Sequence, residues 1–140
     1  MEAVLKNRPD LDRTRLERTR DRMNHVIPES LVEGFSKWIP SLKLPDPDDR
    51  HVLAAAIEAE AHIIVTLNLK DFPQECLAPF EIEALHPDLF ICRLLEWDFP
   101  GVLATMKAHR AALKHPPKTP NAYLNTLEKQ GLAQTASLVR

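Results

Sequence analysis

Four aspartates and one asparagine lie in two short segments of the chain, on either side of a run of apolar residues. The first segment holds Asp46, Asp48 and Asp49, and the second holds Asn68 and Asp71. Carboxylates gathered at one place repel each other unless a cation joins them. Mg²⁺ prefers hard oxygen ligands, takes one or two protein carboxylates and keeps waters in the rest of its shell. These residue types therefore favour a divalent-metal site, provided that the two segments meet.

A metal ion held in this way activates water for attack on a phosphodiester and stabilises the charge that develops. Asp48, Asp49 and Asp71 are the candidate metal ligands and catalytic residues, and Asn68 and Asp46 are candidate supporting residues at the metal. Each of them also fits an ordinary structural role. Asp46 suits a helix N-cap, Asp48 and Asp49 favour the positive end of a helix dipole, and the other two suit a turn. Residue type alone leaves both interpretations open.

A helix is predicted from Asp48 to about Ala61. Asp46 is a good N-cap and Pro47 fits the first helical position. Apolar residues then recur at i, i+3, i+4 and i+7, which predicts a buried face formed by Val52, Ala55, Ala56 and Ala59.

A strand is predicted from Ile63 to Thr66, because this β-branched run without polar alternation is typical of a central parallel strand buried on both faces. A helix and the strand that follows it run antiparallel, so the start of the helix and the end of the strand lie at one edge of the fold. Asp48 and Asp49 are expected near Asn68 and Asp71 at this edge, where open α/β folds bind their ligands.

The rest of the chain is predicted to be mostly helical, with a second strand from Glu81 to Leu85. No linker divides the chain, so residues 1–140 are predicted to form a single domain. Trp38, Trp97 and Tyr123 are expected to pack inside it. The further predicted helices run from a cap at Asp10 or Asp12 to about Asn24, from Pro28 to about Phe35, and over Leu89–Trp97, Pro100–Leu113 and Pro120–Gln130.

The segment that holds the acidic residues resembles the PIN-domain family of VapC-like toxins. It reads LPDPDDRHVLAAA over residues 44–56 and IVTLNLKDFP over residues 64–73. Weaker likeness continues through residues 86–88 and 116–119 towards the C-terminus, so the resemblance covers nearly the whole chain. It implies a Mg²⁺- or Mn²⁺-dependent ribonuclease that acts as the toxin of a toxin–antitoxin pair. In that resemblance Asp48 or Asp49 matches the acid at the helix start, Asp71 the acid after the later strand, and Asn68 the polar residue beside it.

Members of this family begin with a strand that carries an aspartate, and a glutamate follows at the start of a helix. The present chain begins after both, with Glu2 as the only acid near the second position. The resemblance therefore implies an N-terminally truncated member. Its expected fold is a helix-rich PIN-like α/β domain with a small, mostly parallel sheet of about two to four strands that lacks the family's first strand. Its acidic site is expected to be incomplete and to bind its metal ion weakly.

Two functional hypotheses follow. The first is a PIN-type ribonuclease, and the second is a catalytically silent PIN remnant that binds a partner chain, either an antitoxin or a second copy of itself. The missing strand leaves the flank of the strand from Ile63 to Thr66 unpaired, which favours a homodimer.

No apolar run approaches the roughly 20 residues that cross a membrane. The cysteines, Cys76 and Cys92, are far apart and follow no signal peptide, which predicts reduced thiols in the cytoplasm.

A net charge of -2 argues against bulk electrostatic capture of RNA, so any contact with RNA must come from a local patch. The predicted helix after Asp12 carries such a patch, because Arg15, Arg18 and Arg22 share one face of it. Acids on the same helix offer ion pairs at i,i+3 and i,i+4. From the sequence, a solvated and ion-paired face is favoured over an RNA-binding face.

Overall fold

The computed structural model describes residues 8–140, so Glu2 lies outside the described residues. The first helix, α1, is Arg13–Val26. The side chain of Asp12 caps it by accepting a hydrogen bond from the Thr14 N–H at 2.8 Å, which confirms the predicted start. The helix buries none of its residues.

The helix predicted from Pro28 to Phe35 is wrong in its length. Only a 3-10 turn over Pro28–Ser30 forms, and a separate 3-10 helix follows at Ser36–Ser41. Between them Gly34 has a φ of 75°, a left-handed backbone that no right-handed helix can include.

The helix predicted from Asp48 begins two residues later as an α-helix. A 3-10 turn covers Pro47–Asp49, and α2 is Arg50–Glu58. Its fully buried residues are Leu53 and Ala54, whereas the predicted face ended at Ala59, which is exposed. The predicted set of residues on the buried face is therefore wrong in part. Leu53, the largest apolar side chain of the first turns, faces the core instead.

The sheet of the described residues has two parallel strands, β1 (Ile63–Val65) and β2 (Glu83–Leu85). Ile63 pairs with Glu83 and Val65 with Leu85. This small parallel sheet in a helix-rich chain confirms the predicted α/β class. The expected burial of β1 on both faces is wrong: Ile64 is buried, but Val65 is 44% exposed. The described residues add no third strand to this sheet.

Helices form the remainder of the chain. A short helix between the strands, α3, and the last helix, α7, had no sequence prediction, whereas the other three confirm predicted helices. These elements are α3 (Gln74–Leu77), α4 (Pro87–Trp97), α5 (Phe99–Ala112), α6 (Pro120–Lys129) and α7 (Ala133–Val139). Within the described range no helix is long and apolar enough to span a bilayer.

The main core lies between α2, the sheet and α3. Its buried members are Leu42, Leu53, Ala54, Ile64, Phe72, Leu77 and Ile82. Trp38 packs against this cluster, as predicted, and its indole N–H donates a hydrogen bond to Glu58 at 2.7 Å. Burial of these apolar side chains, at about 25 cal/mol per Å², fixes the position of α2 over the sheet.

Further buried side chains hold the C-terminal helices together: Cys92 and Leu95 on α4, Tyr123 on α6 and Ala136 on α7. Burial of Tyr123 confirms the prediction, but Trp97 is 83% exposed at the end of α4, so the expected packing of Trp97 is wrong. Trp97 is the last residue of α4, and the turn through Asp98 into α5 leaves the indole exposed.

Candidate metal-binding edge

The acidic segment begins with a helix cap. The carboxylate of Asp46 accepts a hydrogen bond from the Asp48 N–H at 2.9 Å, and the Asp46 carbonyl accepts one from the Asp49 N–H at 3.1 Å. Asp46 therefore has the N-cap role that its residue type favoured. The cap folds the chain into the 3-10 turn at Pro47–Asp49, which carries the next two aspartates ahead of α2.

Asp49 and Asp71 are both partly buried, whereas Asp46 and Asp48 are exposed. Burial raises the pKa of the Asp49 carboxyl group, and the nearby carboxylates of Asp46, Asp71 and Asp48 raise this pKa further, while His51 lowers it. Asp49 and Asp71 thus interact electrostatically, although α2 and β1 separate them in the chain. This interaction is in keeping with the expected approach of Asp49 to Asp71, and the role of these residues at a metal site stays a prediction.

Asp71 ends the 3-10 turn that follows β1, at Leu69–Asp71. Its N–H donates to the Asn68 carbonyl at 3.0 Å, and the Asn68 N–H donates to the Thr66 hydroxyl at 3.0 Å. These backbone bonds hold the turn at the carboxyl end of the strand. Neither the Asn68 nor the Asp71 side chain forms a hydrogen bond with any residue in the range 8–140, so their oxygens can accept a ligand.

Two basic residues follow the acids, and neither forms an ion pair with a carboxylate of residues 8–140. The Arg50 guanidinium donates to the Pro47 carbonyl at 3.0 Å, and the His51 Nδ1 lies 2.7 Å from the Asp48 carbonyl. Neither side chain therefore forms an ion pair with Asp46 or Asp48. Both side chains instead bind backbone oxygens and stabilise the turn that carries the acids.

The oxygen donors at this edge are of the type that Mg²⁺ and Mn²⁺ prefer, and one or two carboxylates suffice for a hydrated Mg²⁺. Asp49 and Asp71 fit that requirement. Across residues 8–140, however, no three or more His, Cys, Asp or Glu side chains are grouped closely enough to hold a metal ion. The edge therefore offers a small carboxylate set, and weak metal binding stays a prediction.

A further buried carboxylate, Asp88, lies on α4 in the His86-Pro87-Asp88 stretch of the resemblance. It accepts hydrogen bonds from the Gln134 N–H at 3.0 Å, the Thr135 N–H at 2.8 Å and the Thr135 hydroxyl at 2.7 Å. Asp88 thus ties the start of α4 to the start of α7. Sequence reasoning gave it no role, because its partners lie far along the chain and no local pattern points to them.

Comparison with known proteins supports the resemblance. The PIN-domain family profile matches residues 1–70, half of the chain, and the profile described as "VapC50 C-terminal domain" matches residues 87–140. The chain is also similar to the protein named "Putative ribonuclease VapC50" of Mycobacterium tuberculosis (strain ATCC 25618 / H37Rv), with 44% identity over 82 residues. That match covers 59% of this chain and 48% of the relative. No solved structure matches the chain.

The chain therefore belongs to the PIN-domain family. Within that family it is a VapC-like member, as the two profiles and the relative together show. The chain spans about half the length of the curated relative that it matches.

Proposed function

We propose that this chain is part of a divalent-metal-dependent ribonuclease of the VapC-like toxin type. The observation that carries the proposal is the approach of Asp49 to Asp71 at the carboxyl end of β1, in a chain that belongs to the PIN-domain family. The name of the relative, a ribonuclease, supports RNA as the substrate class.

Asp49 and Asp71 would hold Mg²⁺ or Mn²⁺ in this proposal, with Asp48 and Asn68 beside them. A bound divalent ion activates water and neutralises charge at a scissile phosphate. The chain's own contribution is positional: Asp46 caps the turn that carries Asp48 and Asp49. The Thr66 hydroxyl fixes the backbone of Asn68 after β1.

Calorimetric titration with Mn²⁺ tests the metal site. The unsubstituted chain should bind one ion weakly, and the double variant Asp49→Asn, Asp71→Asn should show no measurable binding. A matched control, Asp10→Asn with Asp21→Asn, removes two surface carboxylates that pair with neighbouring arginines, and it should bind Mn²⁺ like the unsubstituted chain. Equal affinity in the two double variants would remove Asp49 and Asp71 from the site.

A second candidate function is a catalytically silent PIN unit that binds another protein chain. The small carboxylate set and the exposed Val65 on β1 favour it. Incubation of labelled RNA with Mn²⁺ discriminates the two functions: cleavage that Asp49→Asn abolishes supports the ribonuclease, and intact RNA supports the silent unit.

The partners and setting that we propose follow from the same assignment. The chain acts on RNA in the cytoplasm, is neutralised by an antitoxin protein and pairs with a second copy of itself. Residues 1–140 form one PIN-like domain in this proposal. Free thiols at Cys76 and Cys92 support a reducing compartment.

A further inference from the structure

Helix α1 carries a row of three arginines that have no partner among the residues described. The guanidinium groups of Arg15, Arg18 and Arg22 form no hydrogen bond or ion pair with any residue in the range 8–140. The two other arginines of the helix differ: Arg13 lies 3.9 Å from Glu17, and Arg20 lies 3.0 Å from Asp21. The acids on α1 therefore do not neutralise the row, and the ion-paired face favoured from the sequence is formed only in part.

The spacing of the row places like charges next to each other. Residues at i, i+3 and i+7 share one helix face, about 4.5 and 6 Å apart along the axis. Like charges at such spacings disfavour an isolated helix. Five arginines and two acids give α1 a formal charge of +3, whereas the whole chain carries -2. The positive charge is thus concentrated on one exposed helix, where a bound anion would relieve the repulsion.

The shape of the row indicates the kind of anion. Three guanidinium groups in a line fit a linear chain of phosphates better than a single phosphate, and each planar guanidinium can bind phosphate oxygens through two parallel hydrogen bonds. We propose that the arginine row of α1, Arg15, Arg18 and Arg22, binds the phosphate backbone of single-stranded RNA. The choice of RNA over another polyanion rests on the proposed ribonuclease function.

The row is distinct from the acidic edge, which is built from the turns before α2 and after β1. Backbone binding by the row therefore needs no metal ion and no Asp49. It contacts only the phosphates of the RNA, so it supplies affinity without sequence preference.

Fluorescence anisotropy with a short labelled single-stranded RNA tests the row, in EDTA so that no cleavage occurs. The affinity of the full chain is measured from about 50 to 200 mM salt, a range over which counterion release dominates. The test variant replaces the three arginines of the row with glutamine. A matched control removes an equal number of charges from three other arginines, which lie in ion pairs. The variants are R15Q/R18Q/R22Q and R8Q/R13Q/R20Q. Circular dichroism verifies that both remain folded.

The logarithm of affinity falls with the logarithm of salt concentration, and loss of three phosphate contacts should make this slope shallower by about 2. A slope of this size is an about 20-fold change in affinity across the salt range, and this part of the salt dependence should be absent from the row variant. The control should keep the slope of the unsubstituted chain. Equal slopes in the two triple variants overturn the proposal. Preferential binding of polyglutamate over RNA by the row also overturns it, and would assign the row to an acidic protein segment.

The test separates this proposal from the proposed function. If the chain binds RNA through the row but leaves the RNA intact in Mn²⁺, the proposed RNA-binding role of the row stands and the proposed ribonuclease function is refuted. If the chain cleaves RNA and the row variant has the same rate and affinity, the ribonuclease function stands and the RNA-binding role of the row is refuted.

Discussion

At the scale of single residues, the pKa values of the Asp49 and Asp88 carboxyl groups are shifted in opposite directions. Burial and neighbouring carboxylates raise the pKa of Asp49, which stores repulsion that a cation can relieve. Burial also raises the pKa of Asp88, but hydrogen bonds from Thr135 and Gln134, together with the charge of His86, outweigh it and leave that pKa below its ordinary value. The first environment suits ligand binding and the second suits structural support.

Asp88→Asn should destabilise the fold by about 1–3 kcal/mol, because an amide cannot accept from all the donors that the carboxylate satisfies. The folded-state pKa of Asp88 is lowered, so its contribution is present above the unfolded-state pKa of about 4 and is lost as pH falls through the folded-state pKa. Urea unfolding at neutral pH and at decreasing pH measures both effects.

The matched control for Asp88 is Asp98→Asn. Asp98 caps α5 by accepting from the Gly101 N–H at 3.1 Å, and asparagine caps helices about as well as aspartate. Its free energy of unfolding should therefore stay within about 0.5 kcal/mol of the unsubstituted chain. A loss in Asp88→Asn no larger than in this control contradicts a stabilising role for the Asp88 contacts.

At the scale of elements, the helix-to-strand unit could be predicted because its signals are local. Asp46 and Pro47 mark the helix start, and the β-branched run marks β1. The approach of Asp49 to Asp71 then follows from the antiparallel course of the two elements. The sequence pattern succeeded there without any long-range information.

Other elements depended on contacts that no local pattern contains. The four residues of α3 are too few to show helical periodicity. The start of α7 is fixed by Asp88, which lies far upstream. The exposure of Trp97 is set by where the chain turns between α4 and α5, and apolar residue type alone suggested the opposite.

Helix α1 should be less stable than α4. It has 14 residues but buries none of them, and isolated helices of about this length are marginal in water. Hydrogen exchange should therefore show its amides exchanging at least about 100-fold faster than those of α4, which has 11 residues but buries Cys92 and Leu95. Equal protection of the two helices would contradict this prediction.

At the scale of the whole molecule, the flank of β1 that no strand of residues 8–140 pairs governs the proposed pairing with a second copy. The His62 carbonyl and the Thr66 N–H bond to β2. Alternate residues of a parallel strand face the same neighbour, so Ile63 and Val65 direct their backbone groups away from β2. Leu67 and Leu69, 67% and 43% exposed, extend this apolar edge. Exposed apolar strand edges are sites of pairing between chains.

Val65→Lys should shift a dimer towards monomer at micromolar concentration, because a lysine on an edge strand opposes pairing. Light scattering measures the mass. Leu138→Lys is the matched control, since Leu138 is exposed to a similar degree, 52%, but lies on α7. A monomeric unsubstituted chain, or equal dissociation in both variants, contradicts pairing through β1.

The exposure of Trp97 also has an optical consequence. The chain contains two tryptophans, and their environments are opposite: the indole of Trp38 is hydrogen-bonded to Glu58 beside the core, whereas that of Trp97 is 83% exposed. Trp97 should emit at the longer wavelength of a water-relaxed indole and be open to collisional quenching by iodide, while Trp38 is shielded. In the variant Trp38→Phe, Trp97 is the remaining tryptophan, so the emission wavelength and the iodide quenching report on the junction of α4 and α5. Binding of a partner that covers the C-terminal helices can then be detected from this fluorescence without an added label.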